Sequence, residues 1–216
     1  MGNYEVIVEA GSTLVKLLRR ELVPDILPNG ESIGLVSPAD RGDTILCVHL
    51  YDMSESGVYR VSGMQPDGED RQKFPPIHLT LFYMITAFSS SDAKFRSQEE
   101  QRILGRVAQV LRDYPLLNPE TMEFVSGSAG ENVHIEMEKI GSEEKLKMWA
   151  FPNLAPKLSL FYRMGPVPLE SAKTKSIRRV QEMEFKTDYS WEESVENEIH
   201  DNRAKKKGIF GFISRR

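Results

Sequence analysis

One cysteine, Cys47, stands alone among 216 residues. A lone cysteine excludes an internal disulfide and a multi-cysteine metal site, and it fits a reducing compartment. No run approaches the roughly 18 apolar residues that a membrane-spanning helix needs. The start, Met-Gly-Asn-Tyr-Glu-Val, lacks a basic region followed by an apolar one, and Val6 stands where N-myristoylation requires Ser or Thr. There is no Asn-x-Ser/Thr sequon. These gaps predict a protein made and kept in the cytoplasm. Basic charge is not in surplus either: the formal net charge is −4, which removes the overall case for nucleic-acid binding.

What is present is enough for a core. A hydrophobic content of 40%, with ten phenylalanines, supports a folded domain and not a disordered chain. The clearest pattern lies in residues 75–112. Over 77–88, Leu79, Leu81, Tyr83, Ile85 and Ala87 alternate with His78, Thr80, Phe82, Met84 and Thr86. Period two sends alternate side chains to opposite sheet faces, and both rows are apolar or aromatic, so this is a central strand covered on both sides. After Ser89-Ser90-Ser91-Asp92 the period becomes helical, with Phe95, Ile103, Val107, Val110, Leu111 and Tyr114 recurring. Ser97 and Glu100 have capping-box spacing. Gly105 sits mid-helix at a cost of about 1 kcal/mol relative to alanine, which predicts close packing of that helix on the sheet.

Elsewhere, residues 4–22 read as a helix with Ile7, Ala10, Leu14, Leu17 and Leu18 on one stripe, ended by Pro24. Residues 33–37 read as a short strand, Arg41-Gly42-Asp43 as a turn, and 44–53 as a strand with Leu46, Val48 and Leu50 on one face. Residues 55–73, polar and holding Gly57, Gly63, Pro66 and Gly68, read as a long excursion. Ser126 to Gly130 reads as a turn. A strand over 132–140 is expected to face Val133, Ile135 and Met137 inward, and Gly141-Ser142 opens a short helix reaching Trp149. Residues 158–164 form another strand, with Leu158, Leu160, Tyr162 and Met164 on one face, before Gly165, Pro166 and Pro168 break the pattern. Residues 175–187 are expected to form a charged edge strand. The whole predicts an α/β (α+β) domain over 1–187, with a mixed or mainly antiparallel sheet flanked by helices, and an extended C-terminal tail over 188–216.

Chemistry is thin. His134, Glu136 and Glu138 share a strand face about 7 Å apart at each step, a row that could bind a metal or supply acid and base groups; the plainer reading is the wet side of a strand. His134-Ile135-Glu136 begins like a zinc deaminase signature, but the Pro-Cys-x-x-Cys it requires is absent. Cys47 and His49 share a face, yet a nucleophilic thiol needs an imidazole within hydrogen-bond reach, and residues two apart on a strand diverge. Gly127-Ser128-Ala129-Gly130 matches no phosphate loop or nucleophile elbow. His78 and His200 have no ligand spacing. No catalytic residue, metal ligand or cofactor is assigned.

The tail carries more signal. Residues 188–202 contain six acidic residues and no lysine or arginine, and residues 203–216 contain six basic residues and no acid. Lys205, Lys206 and Lys207, with Arg215 and Arg216, bracket Ile209, Phe210, Phe212 and Ile213. Such an apolar knot between basic clusters can dock in a partner's groove or touch an anionic membrane. Four large apolar residues do not anchor a protein alone. With Trp191, these are the candidate partner-binding residues.

Several ordered phrases resemble a known family. They are Glu31-Ser32-Ile33-Gly34-Leu35-Val36-Ser37-Pro38-Ala39-Asp40, Leu50-Tyr51-Asp52, Tyr59-Arg60-Val61-Ser62-Gly63-Met64 and Phe74-Pro75-Pro76. Leu81-Phe82-Tyr83-Met84-Ile85-Thr86-Ala87, Arg102-Ile103-Leu104-Gly105-Arg106 and Lys157-Leu158-Ser159-Leu160-Phe161-Tyr162 continue them. Together, over residues 4–182, they look like the tail-cap (tail-terminator) proteins of phage-tail-like contractile injection systems. The resemblance implies an α/β fold and a non-enzymatic ring, usually a hexamer, on the baseplate-distal end of the inner tube and sheath. It implies tube and sheath partners, a length set by a ruler protein, and no catalytic residues or cofactors. Rival expectations are an adaptor tethering such a particle to a membrane through the basic-apolar terminus, and a small metal-dependent enzyme using His134, Glu136 and Glu138.

Overall fold

A computed structural model of the protein describes residues 4–57, 63–68, 71–117 and 132–176. Helix α1 (Val6–Leu22) forms because Ala10, Leu14, Leu17, Leu18 and Leu22 recur on one face, and all five are fully buried. It stops at Val23, whose backbone turns extended before Pro24. The Arg19 guanidinium donates to the Ile33 carbonyl at 2.7 Å, tying the helix to strand β1 (Ile33–Gly34).

Strands β2 (Leu46–Glu55), β3 (Gln65–Pro66), β4 (Arg71–Lys73) and β5 (Ile77–Ala87) follow. Then come α2 (Ala93–Asp113), β6 (Leu116–Leu117), β7 (Val133–Met137), α3 (Ser142–Met148), β8 (Ser159–Leu169) and β9 (Thr174–Ser176). The main sheet has six strands in the order β1-β2-β5-β8-β7-β6, with β1–β2 parallel and the other pairs antiparallel. Strand β5 is central, as its double apolar row predicts. Leu79, Leu81, Tyr83, Ile85 and Ala87 join α1 and α2 in the larger core. Met84 faces the other way, into a second cluster with Cys47, Phe88, Trp149 and Phe161. Each large apolar side chain buried this way stabilises the fold by about 1.5–3 kcal/mol.

The structure differs from several expectations. The polar stretch 55–73 contains β3 and β4, which with β9 make a second, three-stranded sheet. Backbone pairing needs no side-chain period, so strands of two or three residues leave none to read. The strand expected over 33–37 is shorter, Ile33–Gly34; beyond it the Val36 N–H still donates to the Val48 carbonyl at 3.1 Å before Ser37 caps a 3-10 turn, Pro38–Asp40. Strand β8 continues through Gly165, Pro166 and Pro168: opposite Thr80 its register shifts, and past Gly165 it has left β7 behind. A bulge and an unpaired edge are the places where a strand tolerates proline.

Other corrections concern faces. Helix α2 begins one turn before the expected capping box, so Ser97 and Glu100 lie within it. Phe95 and Tyr114 are exposed; Tyr114 lies under the Arg20 guanidinium, 5.2 Å from its ring centroid, and Leu104 is buried in the core instead. A Cβ at Gly105 would meet nothing within 4 Å, so that glycine does not mark close packing. Gly11 does: there a Cβ would come 3.2 Å from the Tyr83 hydroxyl. Met137, expected inside, is exposed at the end of β7, and Leu158, expected to share a strand face with Leu160, Tyr162 and Met164, is exposed just before β8 begins. Of the expected edge strand 175–187 only its first residues are described, within β9; the turn at Ser126 to Gly130 lies outside the described residues.

Candidate partner interface

Three surfaces draw side chains into concave sites. The first is polar. Strand β7 buries Val133 and Ile135 and turns His134 and Glu136 outward. Glu136 stands opposite Arg163 on β8, whose Nη2 donates to its Oε2 at 2.6 Å and whose Nε does so at 3.1 Å. Glu138 comes within 3.5 Å of the same Nε. The hydrogen bond from Arg163, and then its charge, lower the Glu136 carboxyl below the usual range. Both partners are more than half exposed, so the pair is worth at most about 1 kcal/mol. A groove of about 340 Å³ runs beside them, with Thr80 and Pro166 on its wall. The row His134, Glu136 and Glu138 is therefore built around a cross-strand ion pair. Among the described residues, no three His, Cys, Asp or Glu side chains gather closely enough to hold a metal ion.

Cys47 and His49 lie at the covered end of the same sheet face. Burial pushes the Cys47 thiol up to about 11, opposed by the charge of Arg41, so it carries almost no thiolate near neutral pH. His49 packs edge-on to Phe151 with ring centroids 5.7 Å apart, and burial lowers its pKa below the ordinary value. This is a packed pair, without the activated thiol that covalent chemistry requires.

The second surface lies at the start of α2. Glu99 accepts hydrogen bonds from the Ser89 and Ser91 hydroxyls, which lower its carboxyl, and a shallow site of about 670 Å³ opens beside exposed Phe95 and Arg102. The third, between α3 and the start of β8, is more apolar. Leu146, Trp149, Leu158 and Phe161 line a groove of about 370 Å³ together with Lys145 and Lys157. The Lys157 ammonium is held by Glu100 at 2.6 Å, and Lys145 lies over the Phe161 ring. Sequence reasoning did not find this groove. Its available signal was Leu146, an apolar residue between Lys145 and Lys147 on a short charged helix.

The residues predicted to bind a partner, Trp191, Lys205, Lys206, Lys207, Ile209, Phe210, Phe212, Ile213, Arg215 and Arg216, lie outside the described residues. Among the described residues, no helix is long and apolar enough to cross a membrane.

The fold thus defines an α+β domain built on a mixed six-stranded sheet, with α1 and α2 packed on one face and a second apolar cluster around Trp149 and Phe161 on the other. The chain belongs to the family described as the Pvc16 N-terminal domain, whose profile matches residues 9–182. The fold is similar to the PVC sheath/tube terminator of an extracellular contractile injection system in its extended state, with TM-score 0.62 and 19% identity over 85% of this chain and 64% of that one. It is also similar to the tube terminating cap of the anti-feeding prophage, with TM-score 0.59 and 16% identity over 83% of this chain and 61% of that one. The chain therefore spans less than two thirds of the length of either structure. No curated protein matches it. The resemblance to tail terminators read from the sequence agrees with the family found.

Proposed function

We propose that the chain is a structural cap of a contractile injection particle, closing the baseplate-distal end of its inner tube and sheath. The observation that carries this reading is the family match over residues 9–182, joined to a fold shared with two tube-terminating proteins. In this reading copies assemble as a ring, hexameric as the resemblance implies, at a tube length set by a ruler protein. Assembly takes place in the cytoplasm, and the particle is then released or retained. The domain over 1–187 forms the body of the ring, and residues 188–216 grip the last ring of tube or sheath. A terminator must satisfy a final exposed surface without offering an equivalent one, and a closed ring multiplies weak arm contacts into avidity. The role is non-enzymatic, in keeping with the engaged Glu136 and the inert Cys47.

Electron microscopy of the purified protein tests the ring, and a chain lacking residues 188–216 tests the grip. The truncated chain should fold and no longer stay on purified particles. Normal capping by it would remove the arm from the mechanism. Full-length protein that neither forms rings nor remains at particle ends would overturn the cap itself. A second reading, a membrane tether, is favoured by Ile209, Phe210, Phe212 and Ile213 between basic clusters. Flotation with vesicles of anionic lipid separates the two, because a purely structural cap stays at the bottom of the gradient.

A further inference from the structure

The groove between α3 and β8 is unfinished in three respects. Leu146 and Leu158 are each 61% exposed beside it, although both are large apolar residues. Trp149 is only 6% exposed, yet its indole Nε1–H has no hydrogen-bond partner among the described residues. A buried donor left in that state is destabilising, and an incoming acceptor would recover the loss. Of the two cations on its lining, Lys157 is already held by Glu100 at 2.6 Å, while Lys145 stands exposed over the Phe161 ring and is the one placed to meet an incoming carboxylate. The groove therefore calls for an occupant that combines large apolar side chains with carboxylates.

The sequence holds such a segment. Residues 188–202 carry six acids, no lysine or arginine, and Trp191, Val195 and Ile199 among them. An aromatic side chain buries roughly 150–250 Å² when it is enclosed, a contribution that an apolar groove can draw on. We infer that this groove receives the acidic segment 188–202 of a second copy of the chain, with Trp191 on the apolar lining and the carboxylates of Glu192 and Glu193 near Lys145. The inference rests on the cap reading, in which copies stand side by side, and it gives the two halves of the tail separate tasks. The acidic half links neighbouring copies, and the basic-apolar half is left for tube, sheath or membrane. Contacts of this kind are weak singly and become strong when a ring closes. Since they are partly electrostatic, they weaken as salt rises.

The test co-expresses two full-length forms of different tag size, one carrying Ser142→Cys at the groove and the other Ser194→Cys in the acidic segment. Both substitutions are close in size to the residue replaced, and native Cys47 is buried. Mild oxidation should give a covalent mixed dimer well in excess of either homodimer. Adding Trp191→Ala to the second form should reduce that yield severalfold. Lys145→Glu in the first form should do likewise, with recovery when Glu192→Lys and Glu193→Lys are placed in the second. Rings without excess mixed dimer would overturn this inference and leave the cap reading standing. Absence of both rings and mixed dimer would remove the two together.

Discussion

Two glycines predict opposite outcomes for the same substitution. At Gly105 the space is open and the residue sits in the middle of α2, so Gly105→Ala should raise stability by about 0.5–1 kcal/mol through helix propensity and a less flexible unfolded chain. At Gly165 a Cβ would lie 3.0 Å from the Leu79 carbonyl oxygen and 3.3 Å from the Thr80 Cα. Backbone atoms give little, so Gly165→Ala should cost about 1–3 kcal/mol. Denaturant midpoints measure both, and two shifts of the same sign would contradict this account. His49 carries a pH prediction. Its folded pKa lies below the unfolded value of about 6.5, so the unfolded chain binds more protons in the window between them. Stability is complete above the unfolded value and declines as pH falls through it. His49→Gln should flatten that part of the acid limb, seen by comparing midpoints on either side of the window. The inert character of Cys47 was legible in the sequence, since a lone cysteine in an apolar strand is usually packed away. The meaning of Gly105 was not: a glycine in a helical pattern does not say whether anything approaches it.

Among the elements, the tie between α2 and the chain entering β8 rests on one polar knot. Glu100 is 14% exposed; it accepts from the Lys157 ammonium at 2.6 Å and from the Ser89 backbone N–H at 3.1 Å. Glu100→Ala would strand a partly buried ammonium and an amide together, and should cost about 1–3 kcal/mol. A double-mutant cycle with Lys157→Met reads the coupling; simple additivity would mean that the bridge contributes nothing of its own. Long elements were legible because they repeat. The eleven residues of β5 and the stripe of α1 offer many positions to test a period. Strands β3, β4 and β9 offer two or three each, and the pattern in β8 was lost at Gly165, where a bulge shifts the register.

For the whole molecule, stability should be graded from the middle of the main sheet outward. Strand β5 is paired on both edges and buried on both faces, whereas β4 pairs β3 and β9 through short exposed ladders. Amide hydrogen exchange should therefore be slowest in Leu81 to Ile85, opening only with global unfolding, and fast in residues 71–73 through local opening. Equal protection in the two sheets would show that they unfold as one unit. Fold class and family were legible because core patterning and ordered phrases persist along the chain. The docking groove was not, since the exposure of Leu146 and Leu158 depends on what the rest of the chain leaves uncovered.

The sheet order also sets a timetable for synthesis. Strand β8 is the late-coming neighbour of both β5 and β7, and α1, the first helix made, packs in part against it. While the chain emerges from the ribosome, β5 has a partner on one edge only, and part of the apolar stripe of α1 waits uncovered. Such long-range closure is slow to form and leaves nascent chains prone to association. The domain reaches its stable state only after Leu169 has been delivered, so a stall before β8 releases a sticky fragment instead of a smaller folded protein.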